Sequence, residues 1–110
     1  MKNTITLPAG EPTRAIFTMD GDYMLPYIRP GEAVRVSLER PKTGECGIFS
    51  ADGEALVRQY CEDSLGNIYL FALNRERREL DRCFPGGRGL VCLGRLLLDR
   101  RAPLPLDFGG

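Results

Sequence analysis

Six short apolar runs are spaced along the chain, at residues 14–19, 33–38, 45–50, 54–60, 67–73 and 89–98. Runs of this length, rich in Val, Ile, Phe, Tyr and Leu and bounded by Gly, Pro, Asp and Asn, predict β-strands rather than helices. Between the third and fourth runs, Ala51-Asp52-Gly53 supplies two residues that tolerate positive φ, so these strands are predicted to form a hairpin. Ser64-Leu65-Gly66 predicts a second turn, joining the fourth strand to the fifth.

Two segments depart from the strand pattern. Residues 22–28 contain Pro26, which would break a long helix, and are followed by Pro30-Gly31, so the expectation is a single helical turn before a bend. Residues 75–82 carry four arginines interleaved with Glu76, Glu79 and Asp81, and Leu80 is the only apolar side chain. Such a segment has little to bury and is expected to be a solvated loop or short helix. Its interleaved acids argue against a nucleic-acid patch. The resulting organisation is an N-terminal arm over residues 1–13, one mostly β domain over 14–98 and a loose C-terminal tail over 99–110.

Composition narrows the chemistry. The 110 residues hold 15 basic and 15 acidic side chains, a net charge of zero that gives no broad electrostatic footprint for nucleic acid or anionic membrane. There is no histidine, which removes the usual general base and the usual metal ligand together. Lys2 and Lys42 are the only lysines, beside thirteen arginines. Cys46, Cys61, Cys83 and Cys92 form no C-x-x-C pair, so zinc is not expected, and Cys46 and Cys92 read as small buried hydrophobes. The N-terminal residues lack the apolar core of a signal peptide, and no stretch approaches the roughly eighteen apolar residues of a membrane span. A cytoplasmic protein that needs no cofactor is the expectation.

One constellation carries a family resemblance. Gly21-Asp22-Tyr23-Met24-Leu25-Pro26, following a predicted strand and preceding Pro30-Gly31-Glu32-Ala33-Val34, resembles the Gly-Asp-Ser-Met-x-Pro…Gly-Asp-x-Val signature of the LexA and UmuD self-cleaving serine peptidases. The segments 44–54 and 56–60 are similar to that family's hairpin and its following Val-Lys-Arg strand. Leu73-Asn74 falls where the family often has Asn-Pro, and Leu93-Gly94-Arg95-Leu96 matches its closing strand. The ordered likeness spans about residues 14 to 98. It implies a distorted β-barrel like the LexA C-terminal domain and signal peptidase, with one short helical turn.

In that family a serine hydroxyl attacks a peptide carbonyl, and a lysine kept neutral by burial takes its proton. The resemblance puts the nucleophile position at Tyr23 and the base position at Arg58. A tyrosine oxygen sits at the far end of a rigid ring, and a guanidinium does not deprotonate at physiological pH. The implied cleft of Gly21, Asp22, Tyr23, Met24, Pro26 and Arg58 is therefore expected to be inactive, with the Tyr23 ring filling it and Arg58 stacked on the ring or bonded to its hydroxyl. Ala9-Gly10 matches the family's self-cleavage dipeptide, but that dipeptide is common and stands close to Tyr23.

The expectation is a catalytically inactive peptidase-fold module that dimerises and regulates, as in LexA-type and phage-type transcriptional repressors of the SOS response. Its homodimer would pair through the apolar run at 90–98, and DNA contact would fall to a helix-turn-helix domain or partner protein outside these residues. Two other classes stand beside it. One is an active self-cleaving or signal-peptidase-like enzyme, against which the missing serine and lysine count. The other is a peptide or small-ligand sensor that uses the vacated cleft.

Overall fold

The computed structural model describes residues 4–6 and 14–105. All six predicted strands form, joined by two the sequence pattern does not announce. In chain order they are β1 (Thr4–Thr6), β2 (Arg14–Thr18), β3 (Ala33–Ser37), β4 (Cys46–Ala51), β5 (Glu54–Glu62), β6 (Ile68–Phe71), β7 (Arg82–Phe84) and β8 (Val91–Leu97). The fold is mostly β, and its helical content among the described residues is two short 3₁₀ segments, Arg75–Leu80 and Pro85–Gly87. Among the described residues no helix is long and apolar enough to cross a membrane.

The strands make one antiparallel sheet in the order β1-β2-β3-β8-β4-β5-β6-β7. β1 and β7 end the order, so the ladder is open and the expected barrel is not closed. Each end strand is three residues long, which leaves few backbone groups to complete a ring.

The predicted hairpin joins β4 and β5 with Ala51 opposite Glu54. Asp52 and Gly53 occupy its tip at φ of 51° and 76°, the left-handed pair that matches strand twist. At the β5–β6 turn, the Asp63 carboxylate accepts hydrogen bonds from the backbone N–H groups of Leu65 and Asn67, both at 2.9 Å.

Two apolar clusters cover the two faces of the sheet's middle. Ile48 and Val57 join Phe17, Met24, Ile28, Val36 and Leu96 in the first. Phe49, Leu56 and Tyr60 join Ala51, Ile68 and Leu70 in the second. Successive residues of β4 and β5 thus point to opposite cores, which is why these strands read as continuous apolar runs rather than alternating ones.

Three expectations are revised by the topology. β8 lies between β3 and β4, pairing with the former over Arg95–Leu97 and with the latter over Val91–Arg95, so it is not the free sheet edge that a strand-to-strand dimer would need. The sheet reaches into the expected arm, where β1 pairs with β2. The expected loose tail is docked at its start: Ala102 is buried in the first core and its carbonyl accepts a 2.9 Å hydrogen bond from Gln59.

Candidate functional site

The excursion between β2 and β3 is closed at its base by two backbone hydrogen bonds, Met19 N–H to the Glu32 carbonyl at 2.9 Å and Gly31 N–H to the Met19 carbonyl at 2.8 Å. Within it the expected single turn forms, with the N–H groups of Tyr27 and Ile28 both donating to the Met24 carbonyl at 3.0 Å. Met24 and Ile28 are fully buried and anchor the turn in the first core.

A second loop, following β6, braces this turn from outside. The Asn74 backbone N–H donates to the Tyr23 carbonyl at 3.0 Å, and its side-chain amide donates to the Asp22 carbonyl at 2.9 Å. Arg77 meets the Asp22 carboxylate with two nitrogens, at 3.1 and 2.9 Å. That hydrogen-bonded pairing with Arg77 holds the Asp22 carboxyl below its ordinary range. Residues 22 and 23 are therefore fixed through their backbone and through a bidentate ion pair.

Arg58 lies on β5 opposite Gly47 and is only 5% exposed. Its Nε donates to the Leu80 carbonyl at 3.2 Å and a terminal nitrogen donates to the Val57 carbonyl at 2.8 Å. The guanidinium carbon stands 4.6 Å from the centroid of the Tyr23 ring, within cation–π range. Burial lowers the Arg58 pKa, while the charge and side-chain hydrogen bond of Tyr23, and the charge of Asp81, work in the opposite sense. The expected contact between Tyr23 and Arg58 is thus present.

Gly21 makes room for it. Its φ is 116°, and a Cβ there would stand 3.1 Å from Tyr23 Cε1 and 3.2 Å from Cδ1, so the ring lies across the glycine backbone. Pro26 sits within the turn and, with Leu25 and Tyr27, lines a neighbouring cavity. Ala9 and Gly10 lie outside the described residues.

The residues brought together can hold a ring and a cation in place. They do not make a nucleophile and base, because a guanidinium keeps its proton at physiological pH. Burial pushes the Cys46 thiol up to about 12, and it raises Cys61 and Cys92 as well, so these thiols are not activated nucleophiles. Among the described residues no group of three or more His, Cys, Asp or Glu side chains could hold a metal ion.

Two contributors escape a reading of the sequence. Asn74 is a visible motif position, but its role as the brace under Tyr23 depends on contacts far apart in the chain. Gln59 is fully buried in the middle of β5, where the Nε2 amide faces three carbonyls, those of Gly44 at 3.1 Å, Ala102 at 2.9 Å and Pro103 at 3.3 Å. A lone amide inside an apolar run was the only signal of it.

Compared with models of known protein families and with curated proteins, the chain finds no match.

Proposed function

We propose that this chain is a non-catalytic module on the LexA/UmuD-like peptidase plan, a homodimerising and regulatory domain of the kind found in transcriptional repressors. DNA binding, on this reading, belongs to a helix-turn-helix domain or partner protein beyond these residues. The observation that supports it is the pairing of Tyr23 with Arg58. The ordered motifs assign these two positions to nucleophile and base, and the side chains that replaced them are in contact at 4.6 Å. A position that lost its chemistry by drift would have no reason to find its former partner.

Dimerisation draws on exposed apolar side chains of the central strands, with Ile16, Val91, Leu93 and Leu97 each at least 40% exposed. It is a face rather than a strand edge that would pair. Sedimentation at micromolar concentration should give the mass of two chains, and a monomer there would remove this part of the reading.

The chemical part is tested by reconstruction. The native chain, incubated at alkaline pH, should release no fragment, and Tyr23→Ser and Arg58→Lys should each stay inert. The double variant should cleave a peptide of the chain's own residues 1–20. Cleavage by the native chain would overturn the non-catalytic assignment, and a folded but inert double variant would overturn the family assignment.

A further inference from the structure

Beyond β8 the chain has no regular structure over residues 99–105, yet it runs against three separate elements. Arg101 stands 3.6 Å from the Glu45 carboxylate, just before β4. The Gln59 amide of β5 donates to the Ala102 and Pro103 carbonyls at 2.9 and 3.3 Å. Arg100 donates to the Pro26 carbonyl at 3.2 Å and lies 4.9 Å from the centroid of the Tyr27 ring, beside the turn that carries Tyr23.

Each of these contacts needs a side chain. No backbone group of residues 99–105 pairs with the backbone of a described residue, whereas every strand is held by a backbone ladder. A segment without a ladder opens at a lower free energy than the sheet beneath it. Ala102 is its only buried residue, and the two arginine anchors are exposed, where ion pairs and cation–π contacts are weak. Docking also keeps Gln59 Oε1 buried with no donor among the described residues. Lifting the segment admits water to that amide, which returns part of what docking gains.

The segment covers a thiol. Cys46 is 4% exposed and shares the first apolar cluster with Ala102. A gap of about 180 Å³, lined by Cys46, Leu96 and residues 98–102 among others, lies between the start of β4 and the segment.

We infer that residues 99–105 are a detachable strap, which opens as a unit while the sheet stays folded and so controls both access to Cys46 and the hold on the Tyr23 turn. Open, it frees Pro26 and Tyr27 and leaves the turn to its Asn74 and Arg77 braces. The Cys46 thiol then regains ordinary reactivity, because the burial that raises its pKa is gone. The inference uses no part of the family reading and stands or falls separately from it.

The test is alkylation of the full chain by iodoacetamide under native conditions, with Cys46 followed by peptide mass and global stability measured by urea unfolding. The opening constant read from Cys46 should exceed the global unfolding constant by at least about tenfold and depend far less on urea, since a lifted strap exposes little surface. Leu56→Ala, in the second core, should lower global stability and leave Cys46 labelling unchanged. Arg100→Gln combined with Arg101→Gln, both surface changes, should speed it by about threefold or more. Ala102→Asp should hold the strap off, because an unpartnered carboxylate is not buried, giving a chain that still unfolds cooperatively and whose Cys46 reacts at least about a hundredfold faster. Labelling that tracks global unfolding in urea and in Leu56→Ala would overturn the inference. So would an Ala102→Asp chain that is unfolded, or one that is folded with Cys46 still protected.

Discussion

Removing either member of the Tyr23–Arg58 pair should cost more than the contact itself, and a double-mutant cycle separates the two quantities. Arg58→Met keeps an unbranched side chain of similar reach while removing the charge. It leaves the Leu80 and Val57 carbonyls without the Arg58 donors, and hydrogen bonds to a charged group contribute about 1.5–3 kcal/mol each net of their exchange with water. The desolvation that lowers the Arg58 pKa offsets part of this, because a buried cation is itself expensive to hold. A net loss of about 2–3 kcal/mol is expected for Arg58→Met. Tyr23→Leu removes the ring face and the hydroxyl, for a further loss of about 2 kcal/mol from a half-buried aromatic. If the two side chains interact as the 4.6 Å separation indicates, the double variant should lose less than the sum of the singles, by about 0.5–2 kcal/mol. Urea unfolding monitored by tyrosine fluorescence and by circular dichroism gives all three values. Additivity within about 0.3 kcal/mol would show that the ring and the guanidinium are neighbours without coupling, and the argument from contact would fail.

Two further outcomes follow from packing and burial. In Gly94→Ala the new Cβ would stand 2.6 Å from the Ser37 carbonyl oxygen and 2.8 Å from Val36 Cγ1, forcing β3 and β8 apart, so a loss of about 1–3 kcal/mol is expected in urea unfolding; a loss below 0.5 kcal/mol, a threshold at the scale of about 0.5 kcal/mol seen for uninvolved surface changes, would contradict the packing. The Cys46 thiol is held up to about 12 in the fold, against 9.0 as its ordinary value, so between these pH values the unfolded chain gives up a proton that the folded chain keeps. Stability should therefore fall as pH rises above 9, and from pH 8 to 10 wild type should lose about 1.4 kcal/mol more than Cys46→Ala; parallel pH profiles for the two proteins would refute it.

The six strands were legible because each combines apolar content with a bounding turn residue, and the Asp52-Gly53 hairpin because that turn needs positive φ at both positions. β1 and β7 were not legible, since three residues are too few to show a period and their pairing is set by strands far away in sequence. Openness of the sheet was hidden for the same reason: closure depends on whether the two end strands meet, which local pattern does not encode. The docking of Ala102 is not legible because a proline-rich segment has no periodicity, and its hydrogen bonds come from Gln59, whose partners are carbonyls that any sequence would supply. At the site, the residue identities suggested that Tyr23 and Arg58 would meet, but the braces that hold residues 22 and 23, Asn74 and Arg77, come from the segment after β6, Asn74 reaching backbone carbonyls and Arg77 the Asp22 carboxylate, across more than fifty residues of sequence.

The chemistry of arginine at position 58 explains why it stands against an aromatic ring at position 23. A lysine in a buried strand can shed its proton and become a neutral amine, so its burial makes modest demands on its neighbours. Arginine has no such escape, and at 5% exposure its charge must be met by dipoles and by a polarisable face. The Val57 and Leu80 carbonyls supply two dipoles, and the Tyr23 ring supplies the face. A serine at position 23 would offer a single hydroxyl and leave a void beside the cation. Tyrosine fills that void and turns its negative ring face toward the charge, while Gly21, lacking a Cβ, lets the ring lie flat against the turn. On this account the two residues are one structural unit: arginine at 58 creates the need for an aromatic partner, and tyrosine at 23 is the residue that meets it.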